Sequence, residues 1–375
     1  MDSRNWLEIC IRHCRWPALL MAGVLLGGLP GGVAAGPKGT GSPPPTATTE
    51  PAPRFWHSIA TADGSRLAMF AGSGGYQNNW QNLNDLWFYN AALGKWALAP
   101  TGRAKPSVRR SVGWSCDGAG CVAANGVTTS LLRETWVYTF ASGAWTQVNC
   151  TRYLCPSARM IPTMAYDPFR GYHVLFGGDT GVDAALGDTY TFAAGFWNAQ
   201  YPDHKPSRRF WGAATFVPDH YSGTTHVAMN RVVLMGGYGY EDFAGLCDMW
   251  SWNGSDWEQV SFDAGGAAPP CLHGHSMAWV PSATGDRLIV SGGYADPPLP
   301  PRSFQDIPNA DTWTFTFTAT NRGMWSKATQ SCSGTPTSGA MMARDQATGK
   351  RVYFGGVMNL PGQGAVAYSN LVICQ

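Results

Sequence analysis

The sequence predicts an all-β fold, a six-bladed β-propeller whose blades are four-stranded antiparallel sheets. Along the chain, an apolar run ends six times in a pair of small residues, and an acidic or polar residue and an aromatic follow each pair. The second members of the pairs are 52, 54, 59, 56 and 63 residues apart. A period of this length indicates one supersecondary unit that is stacked against copies of itself. The pairs are Ala71-Gly72, Ala123-Ala124, Gly177-Gly178, Gly236-Gly237, Gly292-Gly293 and Gly355-Gly356.

Residues 159–200 show how one copy provides four strands. Residues 164–166 form a β-prone run that Asp167-Pro168 ends, and a second, wholly apolar run over 172–176 predicts a strand buried on both faces. The glycine pair ends that strand, 189–192 alternates, and Gly195 turns the chain into a strand at Trp197. A single sheet of this kind cannot cover both of its faces, so neighbouring copies must do so.

The first 53 residues predict export. Arg4, Arg12 and Arg15 precede the apolar stretch 18–26, and Val33-Ala34-Ala35 supplies small residues for cleavage, so residues 1–35 are interpreted as a signal peptide. A retained membrane anchor is the alternative. Residues 36–53 are rich in Pro, Thr and Gly and predict a linker, and residues 54–375 contain repeats that begin near 54, 109, 158, 208, 270 and 335.

Cysteine content and charge narrow the environment and the partners. Eight of the ten cysteines remain after signal removal, and two close pairs, Cys116 with Cys121 and Cys150 with Cys155, are predicted disulfides of a secreted, cell-surface or periplasmic protein. A net charge of +2 without a basic run argues against a nucleic-acid partner. No contact with a membrane is expected after signal cleavage. The cysteines do not have the spacing of a metal site, and no cofactor is expected.

Charged and aromatic residues recur at fixed places in the repeat. Because they recur at one structural position, the Arg and acidic residues are predicted to tie strands together, although a ring of Arg at a pore mouth is an alternative. An Arg opens copies one to four at Arg54, Arg110, Arg159 and Arg209, and His57 and His275 occupy one later position. The acidic or polar position holds Asp85, Glu134, Asp188, Asp248, Asp311 and Asn370. The aromatic position that follows holds Trp87, Trp136, Tyr190, Trp250 and Trp313, and the late one Trp96, Trp145, Trp197, Trp257 and Trp325.

These residues resemble kelch repeats, in which Arg and often His open the first strand, Gly-Gly closes the second, and an acidic residue precedes an aromatic. The resemblance covers about residues 54–375 and implies a propeller of the kind found in the galactose oxidase central domain. The sixth copy stops after a predicted third strand over 371–374. Either residues 46–49 supply its fourth strand or the ring closes incompletely.

Enzymes on this fold provide the alternative to a binding role. Galactose oxidase-like copper-radical chemistry needs two Tyr and two His around the metal and a Tyr–Cys cross-link, and no cysteine falls on a suggestive repeat position. A sugar epimerase or mutarotase would need a poised acid–base pair, which the sequence does not identify. His273 and His275 are two residues apart on a predicted strand, which is also the spacing of a metal-binding pair. No catalytic residue is therefore assigned.

The loops between second and third strands, and between fourth and first, should emerge on one face, here called the loop face. Aromatic rings stack on sugar C–H faces and carboxylates accept hydroxyl hydrogen bonds, so this face favours a glycan or protein partner. The alternative interpretation is that these aromatics only cover sheet edges. The favoured interpretation is a non-catalytic binding scaffold, with candidate ligand residues Tyr76, Trp80, Tyr238, Tyr240, Glu241, Asp242, Tyr294, Asp296, Arg302 and Asp306.

Overall fold

A computed structural model describes residues 49–74, 81–150, 155–182, 184–241, 244–282, 285–296, 307–328, 339–360, 364–367 and 371–374. Over these ranges the chain is all-β and contains no helix. The predicted signal (1–35) and most of the predicted linker, including residues 46–48, lie outside the described residues. No helix in the described part is long and apolar enough to cross a bilayer.

Five sheets contain at least four strands that are consecutive antiparallel neighbours, and a sixth contains three. We number them sheet 1 to sheet 6 in chain order. Sheet 1 is Ser58–Asp63, Arg66–Phe70, Leu86–Asn90 and Lys95–Leu98, and sheet 2 is Gly113–Cys116, Gly120–Ala124, Thr135–Thr139 and Ala144–Gln147. Sheet 3 is Thr163–Asp167, Tyr172–Asp179, Ala185–Ala193 and Phe196–Gln200, and sheet 4 is Ala213–Val217, Arg231–Met235, Met249–Trp252 and Trp257–Gln259. Sheet 5 is Ser276–Val280, Arg287–Ser291, Thr312–Ala319 and Arg322–Lys327, with Ser261–Phe262 parallel to its outer strand. Sheet 6 is Met341–Arg344, Arg351–Phe354 and Leu371–Cys374.

Short two- and three-stranded ribbons connect or precede these sheets. On the loop face they are Arg54–Phe55 with Ser73–Gly74 and Gln81–Asn82, Tyr238–Gly239 with Ala244–Gly245, Cys271–His273 with Tyr294–Asp296 and Ile307–Pro308, and Val357–Leu360 with Gly364–Ala367. One hairpin, His220–Ser222 with Thr225–Val227, joins the first and second strands of sheet 4 at the opposite edge.

The sheets follow one another face to face. First strands of consecutive sheets are in contact, and the first strand of sheet 6 contacts that of sheet 1. The second strands are the most buried, as their continuous apolar runs require, and Val174, Leu175 and Phe176 of sheet 3 are at most 2% exposed. In copies three and four the late Trp bonds to the preceding sheet, and Trp197 donates its indole N–H to Thr135 Oγ1 of sheet 2 at 3.0 Å. Trp257 donates its indole N–H to Thr189 Oγ1 of sheet 3 at 2.9 Å.

The glycine pairs join each sheet to the next. The second residue of a pair donates its backbone N–H to the carbonyl at the repeat's Arg position in the following copy, as Gly178 does to Arg209 at 2.9 Å and Gly356 to Arg54 at 2.9 Å. In five of the six predicted pairs both residues have positive φ, as in Gly177 (+63°) and Gly178 (+115°). Glycine therefore serves here for its left-handed backbone and its lack of a Cβ where two main chains meet.

The pair in the second copy is corrected by the structure. Asn125 (φ +61°) and Gly126 (φ +100°) occupy the places predicted for Ala123 and Ala124, which instead lie inside a strand. Gly126 donates its N–H to the carbonyl of Arg159 at 3.0 Å, as its counterparts do. Asn tolerates the left-handed region better than most residues, so the first pair position does not require glycine. Ala71, at φ +63°, shows the same.

Sheet 6 differs from the others. Leu371–Cys374 pairs with Arg351–Phe354 as the third strand, in agreement with the sequence prediction. Within the described ranges no fourth strand joins it. Ser58–Asp63 and Met341–Arg344 nevertheless come together, and Thr61 Oγ1 donates to the carbonyl of Arg344 at 2.7 Å.

Both predicted disulfides are present, Cys116–Cys121 and Cys150–Cys155, and Cys247–Cys271 is a third. Cys116 and Cys121 face each other across the first hairpin of sheet 2, and Cys247–Cys271 joins sheet 4 to the segment that leads into sheet 5. Three disulfides are consistent with an oxidising, extracellular type of compartment.

Candidate functional site

The recurring Arg residues lie inside the fold. Arg54, Arg109, Arg159 and Arg209 are all fully buried. In the fourth copy, Arg209 donates to both carboxylate oxygens of Asp248 at 2.6 and 2.8 Å and to the carbonyl of Gly236 at 3.1 Å. The guanidinium therefore links Asp248, which precedes the third strand, to the glycine pair at the end of the second strand. In copies one to four the arginine and the carboxylate are paired within the copy, as a structural role requires.

In the second copy the buried residue is Arg109, not the predicted Arg110. Arg109 donates to Glu134 at 2.6 Å and to the carbonyl of Asn125 at 3.2 Å. Arg110 donates instead to Asn82 Oδ1 at 3.0 Å, and its guanidinium lies 5.6 Å from the ring centre of Trp56. Either of these two adjacent arginines fits the repeat pattern in the sequence, and the structure shows that Arg109 is the buried one.

The fifth copy has Leu272 at the Arg position, and Asp311 there forms an ion pair with Lys327 at 2.8 Å. In copies one to four the carboxylate is instead paired with a buried arginine. Burial alone would raise the pKa of Asp248, but hydrogen bonds and charge from Arg209, with the Trp250 indole N–H at 2.7 Å, outweigh it and place that pKa below its ordinary value.

His57 and His275 are 1% and 3% exposed, and neither ring has a hydrogen-bond partner among the described residues. Burial, together with the charge of Arg54, lowers the pKa of His57 to about 3. Burial, with the neighbouring His273, lowers that of His275 to about 3 as well. Each ring packs on a glycine of the preceding copy: a Cβ on Gly355 or Gly236 would lie 2.9 Å from its Cε1. Both are therefore neutral packing residues.

His273 and His275 do not form a strand-borne pair. Gly274, at φ +62°, turns the backbone between them. The His273 ring stacks on Tyr294, with centroids 5.4 Å apart and planes 23° apart, while His275 faces Gly236. Across the described ranges, no group of three His, Cys, Asp or Glu side chains is arranged to hold a metal ion.

Three predicted ligand residues, Tyr238, Tyr240 and Tyr294, come together on the loop face. They pack with residues that directly follow the Arg position of copies four and five. We call this group the aromatic cluster. Its contacts include Trp211 with His273 at 5.7 Å, Phe210 with Tyr238 at 5.5 Å, and Phe210 with Tyr240 at 5.3 Å. The cluster is Phe210, Trp211, Tyr238, Tyr240, His273, Tyr294 and, from copy one, Trp56.

Trp56 and Trp211 are three copies apart along the chain, one before sheet 1 and the other before sheet 4. Their ring centroids are nevertheless 6.3 Å apart. Both occupy the position two residues after the repeat's Arg, where the backbone has positive φ in every copy. The members are Trp56 (+51°), Ser111 (+59°), Ile161 (+54°), Trp211 (+61°), Gly274 (+62°) and Gly339 (+65°).

These six residues are also joined through their backbones, and we call them the inner-turn residues. Ser111 N–H donates to the carbonyl of Trp56 at 3.0 Å, Ile161 to Ser111 at 2.9 Å and Trp211 to Ile161 at 3.3 Å. Gly274 donates to Trp211 at 2.8 Å, and Trp56 to Gly339 at 3.3 Å. The main chain thus brings the two indoles together. The sequence analysis missed both, although their place two residues after Arg54 and Arg209 was a readable signal.

A carboxylate adjoins the aromatic cluster. Asp179, 3% exposed, accepts the backbone N–H of Gly181 at 2.7 Å and the hydroxyl hydrogen of Tyr240 at 3.3 Å. This contact orients the Tyr240 ring relative to Phe210. The cluster therefore combines ring faces, a phenol and an acid in one place.

Glu241, which directly follows Tyr240, lines a cavity of about 550 Å³ between sheets 3 and 4. Its lining also includes Lys205 and Arg208 from the connection that leads into sheet 4, and Gly187 and Asp188 from sheet 3. Asp296 pairs through its backbone with Cys271. The remaining predicted ligand residues lie outside the described residues, and they are Tyr76, Trp80, Asp242, Arg302 and Asp306.

A Ser–His–Asp group joins sheets 2 and 3 at the edge opposite the loop face. Ser115 Oγ is 2.7 Å from His173 Nδ1, and Asp117 Oδ2 is 3.7 Å from His173 Nε2. The interaction with His173 is the main reason why the pKa of Asp117 lies below its ordinary value. Ser115 and His173 are only 4% and 3% exposed. A substrate has no access to this hydroxyl, so we assign the group to holding the two sheets together.

Comparison with known proteins adds no identification. A scan against models of protein families finds no match, and a search of curated proteins finds no significant relative.

Proposed function

We propose that the chain is an exported, six-bladed β-propeller of kelch type that binds a glycan on its loop face without turning it over. The contacts between first strands run from sheet 1 to sheet 6 and back to sheet 1, which supports a closed ring. The backbone links between the inner-turn residues follow the same order and include the step from copy six to copy one. A ring of this order places these residues around its axis.

The observation that carries the binding proposal is the aromatic cluster. In a ring of six blades, Trp56 and Trp211 come from opposite blades and meet at the centre of the loop face, where their rings are 6.3 Å apart. His273, which is fully buried, stacks on Trp211 and on Tyr294 with planes 25° and 23° apart, and so holds these two partly exposed rings beside each other. Aromatic faces of this kind suit the C–H surfaces of sugar rings, and the phenol of Tyr240 suits their hydroxyls.

The test is a glycan-array screen of the mature protein, followed by calorimetric titration of the best oligosaccharide. We expect Trp211→Ala to weaken binding about tenfold, or about 1.4 kcal/mol. The matched control is Tyr221→Ala, which removes a ring that is 65% exposed on the hairpin at the opposite edge. Unchanged affinity in Trp211→Ala would move the site elsewhere. A folded protein that binds no glycan would reject the proposal.

The export proposal is supported by the three disulfides and by the layout of residues 1–35. N-terminal sequencing of protein from the producing cell's medium or envelope tests it. We expect the mature chain to begin at Gly36. A chain that keeps its first residues and sediments with membranes would instead support the retained anchor.

A further inference from the structure

The residue that precedes the repeat's acid bridges to the next sheet in three junctions. Between sheets 1 and 2, Asn84 Nδ2 donates to the carbonyl of Pro106 at 2.8 Å. Between sheets 2 and 3, Arg133 donates to the carbonyl of Cys155 at 3.4 Å. Between sheets 4 and 5 the residue is Cys247, which is disulfide-bonded to Cys271. In each case a side chain crosses to the segment that leads into the following copy.

The junction between sheets 3 and 4 has Gly187 at this position, so it has no side chain that can cross. The 550 Å³ cavity lies there, and its lining includes Gly187 and Pro206, the counterpart of Pro106. A Cβ on Gly187 would be 3.1 Å from Cγ of Arg208, so a larger residue would compete for this space. The cavity thus exists because glycine replaces a bridging residue.

Arg208 is also a departure from the other copies. The residue just before the repeat's Arg is Val108 in copy two and Ala158 in copy three, within closely similar Pro-Ser-x-Arg segments. In copy five it is the disulfide-bonded Cys271. Among these four junctions, only the one that leads into copy four combines a missing bridging side chain with an additional arginine, Arg208.

The charges of the lining favour an anion accompanied by hydroxyl groups. Lys205 and Arg208 are exposed cations, and Glu241 is an exposed acid. The fourth charge, Asp188, is neutralised, because Arg159 donates to both of its oxygens at 2.6 and 2.8 Å. Two cations therefore face one uncompensated carboxylate. The volume falls within the range of small-ligand clefts.

We propose that this cavity binds an anionic sugar unit, one carrying a carboxylate or a sulfate ester. Arg208 and Lys205 bind the anionic group, since a guanidinium matches two oxygens with parallel hydrogen bonds. Glu241 accepts hydrogen bonds from hydroxyls. The assignment of a sugar rests on the proposed glycan-binding function. The cavity adjoins the aromatic cluster in the chain, because Glu241 directly follows Tyr240 and Arg208 is two residues before Phe210, and Tyr240 and Phe210 belong to that cluster. A neighbouring sugar would stack there.

The test transplants one junction into another. The double variant Gly187→Asn/Arg208→Val gives the junction between sheets 3 and 4 the residue types of the junction between sheets 1 and 2, where Asn84 and Val108 occupy the equivalent positions. Titrations use a glucuronate-containing oligosaccharide, a sulfated one and their neutral counterpart. We expect the wild type to prefer the anionic ligands at least tenfold, more strongly at low salt, and the double variant to lose that preference while keeping its affinity for the neutral ligand. Val108→Ala, which installs the residue of copy three at an equivalent place, is the control.

Outcomes separate this inference from the proposed function. If the wild type binds neutral and anionic oligosaccharides equally, the anionic subsite is refuted and glycan binding stands. If free glucuronate or sulfate binds in a manner that depends on Arg208 but no oligosaccharide binds, the subsite stands and the proposed function fails. Should the double variant not fold, Arg208→Val alone must remove the anionic preference, and retention of that preference overturns the inference.

Discussion

Replacing Gly237 with alanine tests whether the glycine pairs hold consecutive sheets together. Gly237 has φ +103°, and its N–H donates to the carbonyl of Leu272 in the next copy at 2.9 Å. A Cβ would lie 2.7 Å from the carbonyl oxygen of Phe210 and 3.1 Å from the backbone N of Gly212. Both neighbours are main-chain atoms, so no side-chain rotation relieves the contact. Backbone strain costs about 1–3 kcal/mol and overpacking about 1–3 kcal/mol more, so we expect a loss of about 2–6 kcal/mol.

The assay is equilibrium unfolding in guanidinium chloride, followed by tryptophan fluorescence. Gly171→Ala is the matched control, because Gly171 also has positive φ, +73°, but nothing lies within 4 Å of its built Cβ. It should lose only the conformational part, about 1–2 kcal/mol. Equal losses in the two variants would show that the close approach of the main chains contributes nothing and would refute the reasoning.

Two further predictions concern buried charge. Because the pKa of His57 and of His275 is about 3 when folded and near 6.5 when unfolded, stability is complete above pH 6.5 and falls as the pH drops toward 3. The two rings together contribute a slope of about 2.7 kcal/mol per pH unit, and His57→Leu should reduce that slope by half in denaturant titrations at several pH values. An unchanged slope would contradict the burial argument. Asp248→Asn leaves the guanidinium of Arg209 without its charge partner and should cost about 3–5 kcal/mol by the same assay. A loss below about 1 kcal/mol would show that this pair is not needed.

The sequence predicts the repeats and most strands because apolar runs, turn residues and the glycine pairs are local signals. It misplaces the pair of the second copy because Ala123 and Ala124 are small, whereas the requirement is for positive φ, which Asn125 and Gly126 meet. It misplaces Arg110 by one residue, since both neighbouring arginines fit the pattern. The errors therefore occur where backbone conformation or burial decides between adjacent residues.

The candidate site is less accessible to such reasoning. Tyr238, Tyr240 and Tyr294 are found as loop aromatics, but their packing with Trp211 depends on contacts between sheets that no local pattern encodes. The cavity at Gly187 is visible only when the same position is compared across copies in three dimensions. What marks the cavity is a glycine at a position where three other copies have a bridging side chain, and in the sequence alone Gly187 looks like any other glycine.

The inner-turn residues are joined by main-chain atoms, while their side chains range from Trp to Ser, Ile and Gly. Mutation at these positions thus changes the side chains presented beside the turns, while the amide-to-carbonyl links between the turns persist. Under the proposed function, the ligand would be selected by one set of atoms and the scaffold held by another set of the same residues, so a change of ligand would not require a new scaffold.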